Sequence, residues 1–267
     1  MKIAVLGAGN MGLSFSKSFL KYDLIKPENL HLITRSDHKK EKIRSLFPTS
    51  QISAFSEVNN LDADLIIIAV KPQDFAFVAE NLPFNISENS MILSIMAGIS
   101  IEKIQHLLNH KEVVRAMPNS PTLLGMGITG YTAAEGILFN QLINIERLLN
   151  STGRSVYLED EELLDAVTAL SGSGPAYFYY IIDAMIKAGT AMGIEENLAQ
   201  LFVKQTMLGA YHLINNSDKS LEELIKDVAS KGGTTEAALK TFDDNELKVI
   251  LQKGILAAEN RARELNS

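Results

Sequence analysis

The sequence predicts an α/β protein in which a doubly wound, mainly parallel sheet is followed by an all-α domain. Three observations lead there. The chain opens on a strand-turn-helix pattern with spaced glycines, strands alternate with helix-length segments to about residue 116, and beyond about residue 160 every segment has helical period. A dinucleotide-binding domain is therefore expected over 1–160 and a helical domain over 161–267.

Ile3, Val5 and Leu6 read as a buried strand that feeds into Gly7-Ala8-Gly9-Asn10-Met11-Gly12, and Met11, Phe15 and Phe19 recur at helical spacing behind it. The first glycine of such a turn takes backbone angles that a side chain forbids. The second lets a pyrophosphate approach the backbone, and the third lets the helix pack close to its strand. The helix start then offers free N–H groups and a partial positive charge to the phosphates. The spacing alone would fit an ordinary glycine-rich loop; between this strand and this helix it reads as the dinucleotide-binding start of a Rossmann-type sheet.

Leu30–Thr34 is the second strand, followed by a helix ending before Pro48. Leu65–Val70 is a continuous apolar run, as expected of a strand buried on both faces. Further strands are predicted at Met91–Ile95 and Glu112–Ala116, and closing strands at Tyr131–Thr132 and Ser155–Leu158 around a helix over Gly136–Asn150. The helical half divides into Glu162–Leu170, Pro175–Met192, Glu195–Asn215, Ser220–Val228, Thr235–Phe242 and Asn245–Leu265. Pro175 suits a helix start, Gly193 a helix end, and Ser220 with Glu223 a capping box. Over Ala176–Met192 the only charges are Asp183 and Lys187, so this helix should be covered on all sides. About 100 residues cover such helices poorly on their own, which implies a partner subunit.

The chain has 267 residues, 46% of them apolar, and a net charge of −7. That balance argues against a nucleic-acid partner. The basic stretch Arg35–Arg44 is interrupted by Asp37 and Glu41 and reads as a solvated helix face. Cysteine is absent, which excludes disulfides, thiol catalysis and thiolate metal sites; no metal is expected, and redox chemistry would belong to a bound cofactor. No apolar run is long enough for a membrane span and no signal-type segment opens the chain, so cytoplasmic residence is expected.

In such a sheet, ligands bind beyond the carboxyl ends of the strands. Thr34-Arg35-Ser36 lacks the acid that would hold a ribose diol; two hydroxyls and a guanidinium suit a 2′-phosphate, hence NADPH, although Asp37 is near and a simple helix cap is the alternative. Ala69-Val70-Lys71-Pro72 ends the most apolar strand; Lys71 either reaches a ligand or, more commonly for such a residue, caps a strand at the surface. Ala97-Gly98 offers small residues against which a nicotinamide can lie, and Asn119, in the rigid polar turn Arg115-Ala-Met-Pro118-Asn119-Ser-Pro121, can meet the ring or its carboxamide; for both loops turn chemistry alone is the alternative. In the helical half, Gly232-Gly233-Thr234-Thr235 at a helix start suits a carboxylate, with simple capping as the alternative.

Taken together, these residues resemble the pyrroline-5-carboxylate reductase family nearly end to end. The likeness rests on Gly7–Gly12, Ala69-Val-Lys-Pro-Gln73, Ala97-Gly98, Arg115–Asn119, Leu170-Ser-Gly-Ser-Gly-Pro-Ala-Tyr177 and, most specifically, Ser230-Lys-Gly-Gly-Thr-Thr-Glu-Ala237. The resemblance implies reduction of 1-pyrroline-5-carboxylate to proline by NAD(P)H, with NADPH favoured and NADH the alternative. It implies that backbone N–H groups of Gly232, Gly233, Thr234 and Thr235 bind the substrate carboxylate and that the Thr235 hydroxyl contacts the ring nitrogen as the catalytic group. It also implies an interlocked homodimer with the substrate site between its helices and the cofactor domain, and assembly of dimers into a decamer. Lys231 stands where relatives often have proline. Two other readings compete: a reductase of another small imine or keto acid, and a non-catalytic dinucleotide sensor with a dimerising helical half.

Overall fold

A computed structural model describes residues 1–35 and 37–266. Eight strands form one sheet: β1 (Ile3–Leu6), β2 (Leu30–Thr34), β3 (Gln51–Ala54), β4 (Leu65–Ile68), β5 (Met91–Ser94), β6 (Val113–Met117), β7 (Gly127–Ala133) and β8 (Gly153–Tyr157). Their spatial order is β3-β2-β1-β4-β5-β6-β7-β8, parallel throughout except for the antiparallel β6–β7 pair. The doubly wound, mainly parallel sheet is therefore as predicted.

Strand alternation sorts the core into two layers. Ile3, Val5, Leu65 and Ile67 face one side, where they meet Phe15 and Phe19 of helix α1 (Asn10–Lys21). Ala4, Leu6, Ile66 and Ile68 face the other, against Phe75 and Ala79 of the β4–β5 crossover helix. Because both faces are covered, β1 and β4 are apolar at every position. Full burial of each large side chain stabilises the fold by roughly 1.5–3 kcal/mol.

The remaining helices of the sheet unit are α2 (Asp37–Leu46), α3 (Pro72–Glu80), α4 (Ile101–Leu108), α5 (Phe139–Asn150) and α6 (Leu163–Val167). A π turn over Thr168–Gly172 continues α6, closed by Ser173 N–H to the Thr168 carbonyl at 2.9 Å. Single helix-period reading over Glu162–Leu170 does not anticipate that turn. Packing divides the chain after Ser173 and returns the segment from Ala258 onward to the first unit. The sequence places the change at 160, where strands end, but α6 stays with the sheet: Leu164 is fully buried, and Arg115 donates to Asp165 at 3.1 Å.

The second unit, Gly174–Ala257, is helical: α7 (Gly174–Ala191), α8 (Glu196–Asn215), α9 (Leu221–Val228), α10 (Thr234–Asp244) and most of α11 (Leu247–Asn266). Gly193 ends α7 at φ 89°, and Ser220 and Glu223 form the expected reciprocal cap on α9. Helices α7 and α8 meet where Gly189 accommodates Ala199, whose Cβ would lie 3.0 Å from a Cβ at Gly189. Almost nothing else in this unit is buried. Phe178, Tyr180, Leu201, Phe202 and Tyr211 are more than half exposed within the chain, so the helix expected to be covered all round is bare here.

Candidate active site

The glycine turn is shaped by contacts that leave no room for side chains. Gly7 has φ 104°, and a Cβ there would lie 2.6 Å from the Ala69 carbonyl oxygen. A Cβ on Gly12 would lie 2.5 Å from the Gly7 carbonyl oxygen and 3.0 Å from Val5 Cγ1. Gly9 differs, because nothing lies within 4 Å of its Cβ position and the space outside it is open. It caps α1 without a side-chain bond, and the first internal bond is Leu13 N–H to Gly9 O at 2.9 Å. The N–H groups of Asn10, Met11 and Gly12 thus precede the helix ladder and point outward from its start. An uncapped helix start beneath an open glycine fits a pyrophosphate. Met11 also steadies the turn, since its sulfur accepts from the Thr122 hydroxyl at 3.3 Å.

At the end of β2, Thr34 is buried and Arg35 is 82% exposed on its side chain. Arg35 Nη1 lies 3.2 Å from Asp74 Oδ2 in the first turn of α3. Asp37, the acid close in sequence, is instead paired with Lys40 at 2.7 Å, and Lys40 also reaches Glu57 at 2.5 Å. Those two carboxylates hold the Lys40 ammonium above its ordinary pKa. Ser36 lies outside the described residues.

The loop after β4 runs alongside the turn, with Ala69 against Gly7 and Pro72 opening α3. Lys71 is exposed at the N-cap of that helix and makes no ion pair among the described residues. In the loop after β5, Ala97 is half-buried and Gly98 takes φ 66°. A Cβ on Gly98 would lie 2.9 Å from Leu265 Cβ, so the last helix accounts for the absence of a side chain there. Asn119 is buried: its amide donates to Ser171 Oγ at 3.1 Å, and its carbonyl oxygen accepts from Ile128 N–H at 3.0 Å. Arg115, from the same motif, serves the fold. Its guanidinium is almost wholly buried and donates to Glu161 at 2.9 Å as well as to Asp165.

In the helical unit, Gly232 takes φ 73° and Gly233 caps α10 without a side-chain bond. Their N–H groups are already used within the turn: Gly232 donates to Glu236 Oε2 at 2.7 Å, and Gly233 to the Ser230 carbonyl at 2.9 Å. The first bond of the helix ladder is Ala237 N–H to Gly233 O at 3.2 Å. Outward-facing donors therefore come from Thr234, Thr235 and Glu236, one step further along than the glycine spacing suggests. Thr235 is half-buried, and its hydroxyl makes no hydrogen bond among the described residues. Thr190 and Thr241 behave differently, bonding back to carbonyls of their own helices at 2.8 and 3.0 Å.

A family model described as pyrroline-5-carboxylate reductase dimerisation matches residues 161–265, and one described as NADP oxidoreductase, coenzyme F420-dependent, matches residues 2–98. A pyrroline-5-carboxylate reductase of Haemophilus influenzae is 36% identical over 270 residues, covering 99% of this chain and 97% of its own. The chain belongs to the pyrroline-5-carboxylate reductase family. A second member of that reductase family, from Staphylococcus haemolyticus, is 33% identical over 267 residues, covering 100% of this chain and 98% of its own. Among solved structures, a Plasmodium falciparum pyrroline carboxylate reductase with NADP bound aligns at a TM-score of 0.87 and 27% identity, covering 100% of this chain and 98% of that one.

Reductase-family membership places the exposed apolar helices within a dimerisation domain. Among the described residues, no helix is long and apolar enough to cross a membrane, and no group of three His, Asp or Glu side chains is placed to hold a metal. Sequence reasoning missed Asp74 and gave no role to Ser171 and Glu236, although both lie in the motifs quoted above. An acid in a helix's first turn, like Asp74, signals only capping, and nothing local connects it to Arg35.

Proposed function

We propose that this chain reduces 1-pyrroline-5-carboxylate to L-proline, the last step of proline biosynthesis, with NADPH as the favoured hydride donor and NADH as the alternative. What carries the reading, within this family, is the presence in one chain of two helix starts whose N-cap residue is glycine. The one at Gly9, with open space at its Cβ position, would take a pyrophosphate, and the one at Gly233, ahead of Thr234-Thr235, would take a small carboxylate.

The residues fit a dinucleotide. Backbone N–H groups of Asn10, Met11 and Gly12 would hold the pyrophosphate. Arg35, at the end of the strand closed by buried Thr34, would face the 2′-phosphate, Ala69–Pro72 would line the crevice, and Ala97, Gly98 and Asn119 would flank the nicotinamide. When bound, NADPH supplies the hydride. The N–H groups of Thr234, Thr235 and Glu236 would bind the substrate carboxylate, while Gly232 and Gly233 shape the turn. The Thr235 hydroxyl, unbonded among the described residues, would contact the ring nitrogen. A protonated imine is already electrophilic, so holding it in place contributes more than a strong acid would.

The dimerisation domain and its bare apolar helices support a homodimer, and the proposal extends to dimers assembling into a decamer in the cytoplasm. The test is loss of nicotinamide absorbance on adding 1-pyrroline-5-carboxylate to the protein with NADPH or NADH. Turnover is expected with both and faster with NADPH. No turnover with either would overturn the proposal.

A further inference from the structure

We propose that Asp74 is a cofactor-selectivity residue, whose carboxylate holds Arg35 across the cofactor crevice and opposes the 2′-phosphate that Arg35 attracts. This rests on the dinucleotide reading above. Arg35 follows β2 and Asp74 lies on α3 after β4, and in the sheet these two strands flank β1 on either side. The same neighbours bracket the glycine turn. Gly7 N–H donates to the Ile33 carbonyl at 3.0 Å on the β2 side, and Ala69 abuts Gly7 on the β4 side. The 3.2 Å pair, linking residues 39 apart in sequence, thus reaches past the carboxyl end of β1, at the reversal of strand order where α/β sheets take their ligands.

Arg35 has no other ion-pair partner among the described residues, since Asp37, Lys40 and Glu57 are engaged with one another. Its guanidinium is therefore held by one monodentate carboxylate and otherwise faces solvent. A 2′-phosphate arriving there must share or take the guanidinium with a fixed negative charge beside it. A 2′-hydroxyl carries no charge and meets no such opposition. Asp74 therefore narrows the preference for NADPH over NADH.

The test titrates NADPH and NADH into the full-length protein and its Asp74→Asn and Asp74→Ser variants, following cofactor fluorescence, with 2′,5′-ADP as a competitor that lacks nicotinamide. Asparagine keeps the size and an acceptor but removes the charge. NADPH and 2′,5′-ADP should bind about 2- to 5-fold more tightly to both variants, as for an exposed pair, with NADH unchanged. The gain should shrink as salt is raised. Weaker or unchanged NADPH binding, or equal tightening of NADH, would overturn the role of Asp74. If the unsubstituted protein binds neither dinucleotide, the cofactor reading itself fails. If it binds NADPH, Arg35→Ala weakens that binding and Asp74→Asn changes nothing, only this inference fails.

Discussion

The side-chain amide of Asn119 donates to the hydroxyl of Ser171 at 3.1 Å, fixing the loop after β6 to a π turn 52 residues later. Both residues lie in motifs by which the chain resembles its family, and the bond gives those motifs a shared physical task. Single π turns in helices are frequent at functional sites. Here the turn presents Ser171 to the residue proposed to flank the nicotinamide.

Ser171→Ala should leave the fold intact and raise the dissociation constant for the dinucleotide about 2- to 10-fold, the worth of one neutral hydrogen bond. Ser171→Thr, which keeps the hydroxyl, should restore much of the loss. Unchanged affinity in the alanine variant would show that Asn119 is held well enough by Ile128 alone.

Arg35→Ala should weaken NADPH by roughly 10-fold, at the lower end for a charge-assisted bond because the side chain is exposed and shared with Asp74. NADH should change little. Equal losses with both cofactors would remove Arg35 from 2′-phosphate recognition.

Thr235→Val keeps the branched shape and removes only the hydroxyl. A hydrogen bond to a group whose charge changes during reaction is worth roughly 1.5–3 kcal/mol, so kcat/KM should fall roughly 10- to 100-fold with cofactor affinity unchanged. Full activity in this variant would reduce Thr235 to a helix-start residue.

His31, in β2, shares a 2.9 Å hydrogen bond with the Ser53 hydroxyl of edge strand β3, and burial pushes its pKa below the ordinary histidine value. The folded chain keeps it neutral where the unfolded chain protonates it, so the unfolded state binds more protons and stability rises with pH across that interval. Its contribution is present above the ordinary value of about 6.5 and is lost as pH falls toward the depressed folded value. The melting temperature should drop between about pH 7 and about pH 5, and His31→Gln should flatten that drop. An identical pH profile in the variant would exclude His31 as a cause.

Much of the architecture was legible because the sheet is buried on both faces. Leu65–Ile68 announces itself as an apolar run, and the glycine turn carries its own steric reason. The exceptions have physical causes. Strand β3 is a short edge strand whose first residue, Gln51, is exposed, so it lacks the apolar signal of its neighbours. Strand β7 reads as only Tyr131–Thr132 because Gly127 and Gly130 dilute it. A Cβ at Gly127 would lie 2.3 Å from Thr122 Cγ2, which is why glycine is there. At the Gly232–Thr235 turn the residue types were readable but not which N–H groups stay free. Gly232 and Gly233 spend their N–H groups inside the turn, through the Glu236 side chain and the Ser230 carbonyl.

The most direct test follows the transferred atom. The protein is incubated with 1-pyrroline-5-carboxylate and NADPH deuterated at the hydride position of the nicotinamide, and the amino-acid product is analysed by mass spectrometry and NMR. The proposed reduction predicts L-proline carrying a single deuterium at C5, with the labelled cofactor consumed in equal amount. Proline without label, or no proline while the cofactor remains reduced, would contradict it.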